Sequence, residues 1–186
     1  MHEPKEMAER HLAADAATPA AGATTASPRD GISSPSDTAG VIAPPPLIYL
    51  GALAIGFGLN AVMGTGSLPS SIALPVGSAS IIAGGGLVGS FVRAFGRAQT
   101  PLDPYAPSQA LVTDGPYRLT RNPGYLGMAL AYAGIAIASN APWALVALPA
   151  AIAVIDRGVI AREERYLTRK FGTPYEDYKR RVRRWI

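Results

Sequence analysis

The chain has no cysteine among its 186 residues, which excludes a disulfide framework, a thiolate metal site and a cysteine nucleophile. Its two histidines, His2 and His11, both lie in a polar stretch near the start. An imidazole-based triad or metal centre therefore has nothing to be built from, and no metal is expected. Charge is scarce as well. Only 16% of the residues are charged while 48% are hydrophobic, against about 25% charged in a typical soluble domain. The deficit is local: residues 38–92 and 122–155 contain no Asp, Glu, Lys or Arg at all. Such runs exclude an ordinary soluble fold and a collagen-like chain, and they predict an all-α polytopic membrane protein.

Residues 1–43 are rich in Ala, Thr, Ser, Pro and Gly and carry six acids against three bases. Without a sustained apolar period this segment reads as a disordered tail, and it lacks the basic start and apolar middle of a cleavable signal peptide. Residues 44–186 form the expected membrane-embedded domain.

The first uncharged run of 55 residues would make a helix roughly 80 Å long, far beyond a hydrocarbon core of about 30 Å. It must turn back, and Gly64–Ser71 supplies the break, leaving spans near Leu47–Met63 and Ile72–Val92. The second run of 34 residues is interrupted by Ser139-Asn140-Ala141-Pro142, giving a hairpin near Tyr125–Ala138 and Trp143–Ile160. About four transmembrane helices result. The two turns hold no cation, whereas Arg93, Arg97, Arg118 and Arg121 lie in the central loop and ten Lys and Arg follow Asp156. Cations near span ends stay cytoplasmic. Both termini, the central loop and the C-terminal segment are therefore expected on the cytoplasmic face of an integral membrane protein.

Gly84-Gly85-Gly86-Leu87-Val88-Gly89 fits the dinucleotide fingerprint but lies mid-span, with no preceding strand. Gly85 and Gly89, four residues apart, suit close helix packing instead; Gly56, Gly58 and Ala61 read the same way, and Asn60 is expected to make an interhelical hydrogen bond.

Chemistry belongs where polar groups collect. In 110–127, Asp114-Gly115-Pro116 is a turn and Asn122-Pro123 starts the third span with Pro at a first-turn position. The free N–H groups of that helix start, flanked by arginines and tyrosines, attract an anion such as a carboxylate. In 162–178, Gly172 reads as a helix C-terminal residue, and Thr173 caps a new helix in a capping box with Glu176. Tyr175, Tyr178, Val182 and Trp185 recur at helical spacing, which predicts an amphipathic helix lying on the interface. Its clusters Lys179-Arg180-Arg181 and Arg183-Arg184 are expected to meet anionic lipid headgroups of the bilayer; no nucleic acid is expected. Glu163 and Glu164, two acids at the mouth of a span, need a use or a partner, and Arg118, Arg162 and Arg165 are the partners at hand.

The pattern LVTDGPYRLTRNPGYLG, a hydrophobic hairpin, then REERYLTRKFGTPYEDYKRRV resembles the isoprenylcysteine carboxyl methyltransferase family and its phospholipid N-methyltransferase relatives, over about half the chain from Arg93 onward. The resemblance implies an integral membrane enzyme that uses S-adenosylmethionine to methylate a lipophilic small-molecule or lipidated acceptor, a carboxylate or an amine. It carries cofactor contacts onto Gln109, Ala110, Leu111, Val112, Tyr117, Asn122, Pro123, Gly124, Tyr125 and Glu163, with Arg118 or Arg121 meeting the cofactor carboxylate. Arg121 and Glu164 are the catalytic candidates, and Glu163 or Glu164 can assist proton loss from an amine. Asn122 and Gln109 stand where prenylcysteine enzymes carry histidine, and Val159 stands where they carry a substrate-binding arginine, a role left to Arg157 or Arg162. An NADPH-dependent sterol-type reductase and a non-catalytic scaffold binding anionic lipid are the alternatives.

Overall fold

A long uncharged segment satisfies its backbone in lipid by hydrogen bonding within helices, and the computed structural model is all-helical over the residues it describes, 38–64, 68–103 and 105–186. Helix α1 is Pro45–Met63, α2 Ser70–Arg97, α3 Pro123–Ala138, α4 Pro142–Ile155, α5 Ala161–Phe171 and α6 Thr173–Arg181. A 3-10 turn at Gly115–Arg118 precedes α3, and a π-helical turn at Asp156–Ile160 joins α4 to α5 without a break. Among the described residues three helices are long and apolar enough to cross a membrane: Pro45–Met63, Ser70–Arg97 and the continuous Pro142–Phe171. Helix α3, with 16 residues, is shorter, about 24 Å. Leu47, Leu50, Ile55, Val62, Ile72 and Ile82 point away from the protein, the outward apolar surface that lipid covers.

Prolines start α1, α3 and α4, where the missing N–H has no intrahelical partner to lose. The expected breaks are present, and they are tied together. Asn140, with φ +51°, donates from Nδ2 to the Leu68 carbonyl at 2.8 Å and accepts from the Leu68 N–H at 3.1 Å. The two turns thus share one end of the bundle, and the central loop and α5–α6 necessarily share the other.

Helix α2 packs along α3, and α1 along α4. The α2–α3 seam is made by glycine, though not by the expected ones. A methyl group at Gly127 would stand 2.8 Å from the Gly84 carbonyl oxygen, and one at Gly134 2.6 Å from that of Gly77, whereas Gly85, Gly89 and Gly58 face open space and Ala61 is exposed. Helical phase explains the correction. Ala73 and Gly77 are buried, and only Gly84 of the Gly84–Gly86 run continues that face two turns on. Ser80 reinforces the seam by donating to the Leu130 carbonyl at 2.8 Å. Gly56 does face Ala144. Asn60 is buried, but its Oδ1 has no hydrogen-bond partner among the described residues, so the interhelical bond expected of it is not made there by that atom.

The tail expected at 1–43 lies outside the described residues up to 37. Beyond it, Val41 is buried in the hydrophobic core with Ile155, Val159 and Ile160, because this short segment, Val41-Ile42, is itself apolar. The capping box is also corrected: Gly172, at φ +59°, stands at the start of α6, and no side chain caps that helix. Nor does α6 present an apolar stripe outward. It ends at Arg181, and Tyr175 and Tyr178 are buried inside the protein.

The seam yields a contrast to measure by thermal unfolding in detergent. Gly127→Val should lose about 2 kcal/mol through overpacking against a backbone that cannot yield, whereas Gly85→Ala should be neutral or slightly stabilising.

Candidate functional site

The two polar segments, far apart in sequence, are joined by the last residues of the chain. Beyond α6 the backbone turns extended at Val182 and runs beside residues 120–122. The Arg121 N–H donates to the Arg183 carbonyl at 2.9 Å. The Arg184 carbonyl accepts from Thr120 Oγ1 at 3.0 Å and from Asn122 Nδ2 at 2.9 Å. Trp185 then donates its indole N–H to Asp156 at 3.1 Å.

At the centre of this junction Glu164, 9% exposed, is held by two guanidinium groups. Arg121 Nη2 reaches Oε1 at 2.6 Å, and Arg184 reaches Oε2 at 2.5 Å and Oε1 at 3.1 Å. Arg184 also pairs with Asp156 at 3.1 Å. The hydrogen bond to Glu164 raises the Arg184 pKa further above its ordinary value. Arg121 is fixed from the other side, donating through Nη1 to the carbonyls of Lys179 at 3.0 Å and Val182 at 3.1 Å, while its buried Nε has no partner among the described residues. The expected partners of the glutamates are therefore corrected. Arg118 is exposed and paired with Asp114 at 3.2 Å, and exposed Arg162 donates to the Gly40 carbonyl at 2.9 Å. Arg118 sits in the 3-10 turn before α3, and Arg162 and Arg165 lie on the exposed face of α5, away from Glu164.

A cavity opens beside the ion cluster, walled by Phe91 and Phe95 of α2, residues 110–112, Tyr117, the start of α3 and the Glu163–Glu164 pair. Glu163 accepts a 2.5 Å hydrogen bond from the Tyr125 hydroxyl on Oε1. Its second oxygen makes none among the described residues. Phe91, Phe95 and Tyr117 form an aromatic cluster with ring centres 4.8 to 6.4 Å apart. Tyr117 is oriented through its carbonyl, which accepts from the Tyr178 hydroxyl at 2.7 Å. Burial, with the charge of Glu163 behind it, drives the Tyr117 hydroxyl well above its usual pKa. Burial likewise raises Tyr178 and Tyr175, so all three phenols stay neutral. The π turn sets the direction of the acids: its extra residue re-phases the helix between the buried Ile155 and Glu163.

Of the residues singled out in the sequence, Ala110, Leu111, Val112, Tyr117, Arg121, Asn122, Gly124, Tyr125, Glu163 and Glu164 line this cavity. Gln109 is exposed, its N–H bound to Thr100 Oγ1 at 2.9 Å, and Pro123 is fully buried in the fold. Arg118, Arg157 and Arg162 are exposed and outside the lining; Val159 is fully buried. Sequence reasoning missed Arg184, Asp156 and the pocket tyrosines Tyr166, Tyr175 and Tyr178. A signal existed for the last two, since their helical spacing was visible, but the face they share meets protein instead of lipid. Ala39, just before α1, also lines the cavity, its segment latched by the Arg162–Gly40 bond and by Ile42 packed on Gly158.

The sequence profile of a family described as phospholipid methyltransferase matches residues 72–174, more than half of the chain. A protein of Haemophilus influenzae described as uncharacterized is similar, with 42% identity over 62 residues, covering 33% of this chain and 78% of that protein. No solved structure matches.

The two neighbouring acids should respond differently to truncation. Glu164→Ala strands two cations in a largely buried junction and is expected to cost about 3 kcal/mol, whereas Glu163→Ala loses one hydrogen bond and about 1 kcal/mol. Thermal unfolding of both variants in detergent checks the order.

Proposed function

The chain belongs to the phospholipid methyltransferase family and is an integral membrane methyltransferase; from that premise we propose that it uses S-adenosylmethionine to methylate a lipophilic amine at the cytoplasmic rim of the bilayer. The single observation that carries this reading is the cavity at which the 110–125 segment and Glu163 meet, at the end of the bundle where the cations lie.

The residues present fit the donor. An acid with a free oxygen, Glu163, suits hydroxyl or amino groups of the nucleoside or amino-acid parts. The unpartnered Nε of Arg121 is a leftover buried donor suited to a carboxylate. Backbone groups of Ala110, Leu111 and Val112 and the aromatic faces of Phe91, Phe95 and Tyr117 suit a flat base and a neighbouring positive charge. When bound, S-adenosylmethionine supplies an electrophilic methyl group carried on a cationic sulfur. Everything else is alignment and desolvation by the protein, which holds the nucleophile in line and keeps water out.

The preference for an amine follows from the charges that remain free. Arg121 and Arg184 are both committed to Glu164, Arg157 and Arg162 lie outside the lining, and Val159 replaces the arginine that a carboxylate acceptor requires. Glu163 and Asp103 are then the acids of the cavity lining without an ion-pair partner among the described residues, and Glu163, beside Tyr125, suits an ammonium headgroup. Its Oε2, the oxygen not bound to Tyr125, accepts the proton that the amine must shed before it becomes a nucleophile. Glu164 and Arg121 act by keeping this wall in place. The family match favours methyl transfer over the reductase alternative.

Two measurements test the reading. Isothermal calorimetry with S-adenosylmethionine should show binding to the wild type and at least a 100-fold loss in Glu163→Ala; wild-type affinity in the variant removes Glu163 from the donor site. Mass spectrometry of lipids incubated with the enzyme and methyl-deuterated donor should find the label on a lipid amine. Label recovered as a methyl ester overturns the amine assignment and leaves methyl transfer standing.

A further inference from the structure

Helix α2, with 28 residues, is about 42 Å long, some 12 Å more than a hydrocarbon core of about 30 Å. Its last two turns therefore reach headgroup depth, and they carry Arg93 and Arg97, one turn apart and both exposed. Neither has an ion-pair partner among the described residues. Both line a second groove, between the end of α2 and residues 111–119, with Leu87, Leu111, Val112 and Leu119. The one acid of this groove, Asp114, is neutralised by Arg118, so the charge of Arg93 and Arg97 is uncompensated. Beside it Leu119 is 76% exposed, an apolar side chain bared next to two cations.

Of the C-terminal cations, Arg157, Arg165, Arg169 and Arg183 line neither space, and those of α6 and Arg184 are engaged. Arg184 is bound by Glu164 and Asp156, Arg180 pairs with Asp177, Arg181 Nε donates to the Asp177 carbonyl, and Lys179 lies over the Tyr175 ring at 5.8 Å. Two free guanidinium groups at headgroup depth beside the exposed Leu119 complement an anionic head on an apolar body.

We propose that this groove binds an anionic glycerophospholipid of the surrounding bilayer, its phosphate on Arg93 and Arg97 and its chains along Leu87 and Leu119. The lipid is a resident and not the methyl acceptor, so the proposal stands apart from the catalytic reading. Its place has a consequence for the neighbouring cavity, because Leu111 and Val112 wall both spaces and the headgroup bears on them from the side away from Glu163.

Native mass spectrometry of the detergent-purified full chain with equimolar phosphatidylglycerol and phosphatidylcholine tests it. The wild type should retain phosphatidylglycerol preferentially, and Arg93→Gln/Arg97→Gln should lower that retention roughly 25-fold, about 5-fold for each arginine. Arg93→Lys/Arg97→Lys should keep most of the preference, and Arg180→Gln/Arg181→Gln all of it. Arg97→Gln alone, at the last residue of α2, gives the same comparison should the double variant misfold. Unchanged retention in the glutamine variants overturns the site, as does loss of the preference in the lysine variant or in Arg180→Gln/Arg181→Gln. Displacement of the lipid by millimolar inorganic phosphate identifies a free-phosphate site and overturns the lipid assignment.

Discussion

Glu164 stands between Arg121, next to the start of α3, and Arg184, two residues from the end of the chain, and the candidate site depends on that arrangement. Buried ion pairs contribute little net stability, because desolvation of the charges offsets most of their attraction. What this one supplies is position. Residues 182–185 are held beside 120–122 by the charges and by three hydrogen bonds to the Arg183 and Arg184 carbonyls. Held there, α6 brings Tyr178 onto the Tyr117 carbonyl and so fixes the aromatic side of the cavity. A single carboxylate thereby links the central loop, α5, α6 and the C-terminal segment.

The same junction separates the roles of two adjacent acids. Both oxygens of Glu164 are taken by arginines, whereas Glu163 meets, among the described residues, the Tyr125 hydroxyl alone. One acid thus secures the wall and its neighbour is left facing the cavity with an unused oxygen. The π turn before α5 makes this division possible, since a regular helix would carry the pair round by roughly a quarter turn. With Arg121 and Arg184 already committed, Glu163 faces the cavity without an ion-pair partner among the described residues, the observation on which the proposed amine acceptor rests.

At the other end of the bundle the forces are different. There Asn140 clasps Leu68, and along α2 and α3 glycines bring two backbones into contact. Lipid tails offer no hydrophobic drive for helices to associate, so close packing of this kind has to supply it. The rigid α2–α3 pair places Phe91 and Phe95 at one edge of the cavity and carries Arg93 and Arg97 on to the membrane surface.

The helices, their breaks and the meeting of two polar motifs at one rim were legible in the amino-acid sequence alone. Each follows from sums over local windows: an uncharged run must be helical in lipid, a run too long to cross once must turn, and Asn-Pro or Gly-Thr-Pro marks where. Which glycine faces a neighbour was not legible, because Gly84, Gly85 and Gly86 differ only in helical phase and a partner helix chooses among them. Nor was the choice of Arg121 and Arg184 over Arg118 and Arg162. The cations crowd the same segments, and only the path of the chain after α6 brings one of them within 2.5 Å of Glu164. The stripe of Tyr175 and Tyr178 had the right period and the wrong neighbour, since a helix shows which face is apolar but not whether lipid or protein covers it. Local hydropathy and turn chemistry thus determined the elements and their common rim, while contacts between residues 20 to 64 positions apart decided the site, because pairing depends on where distant segments are brought together.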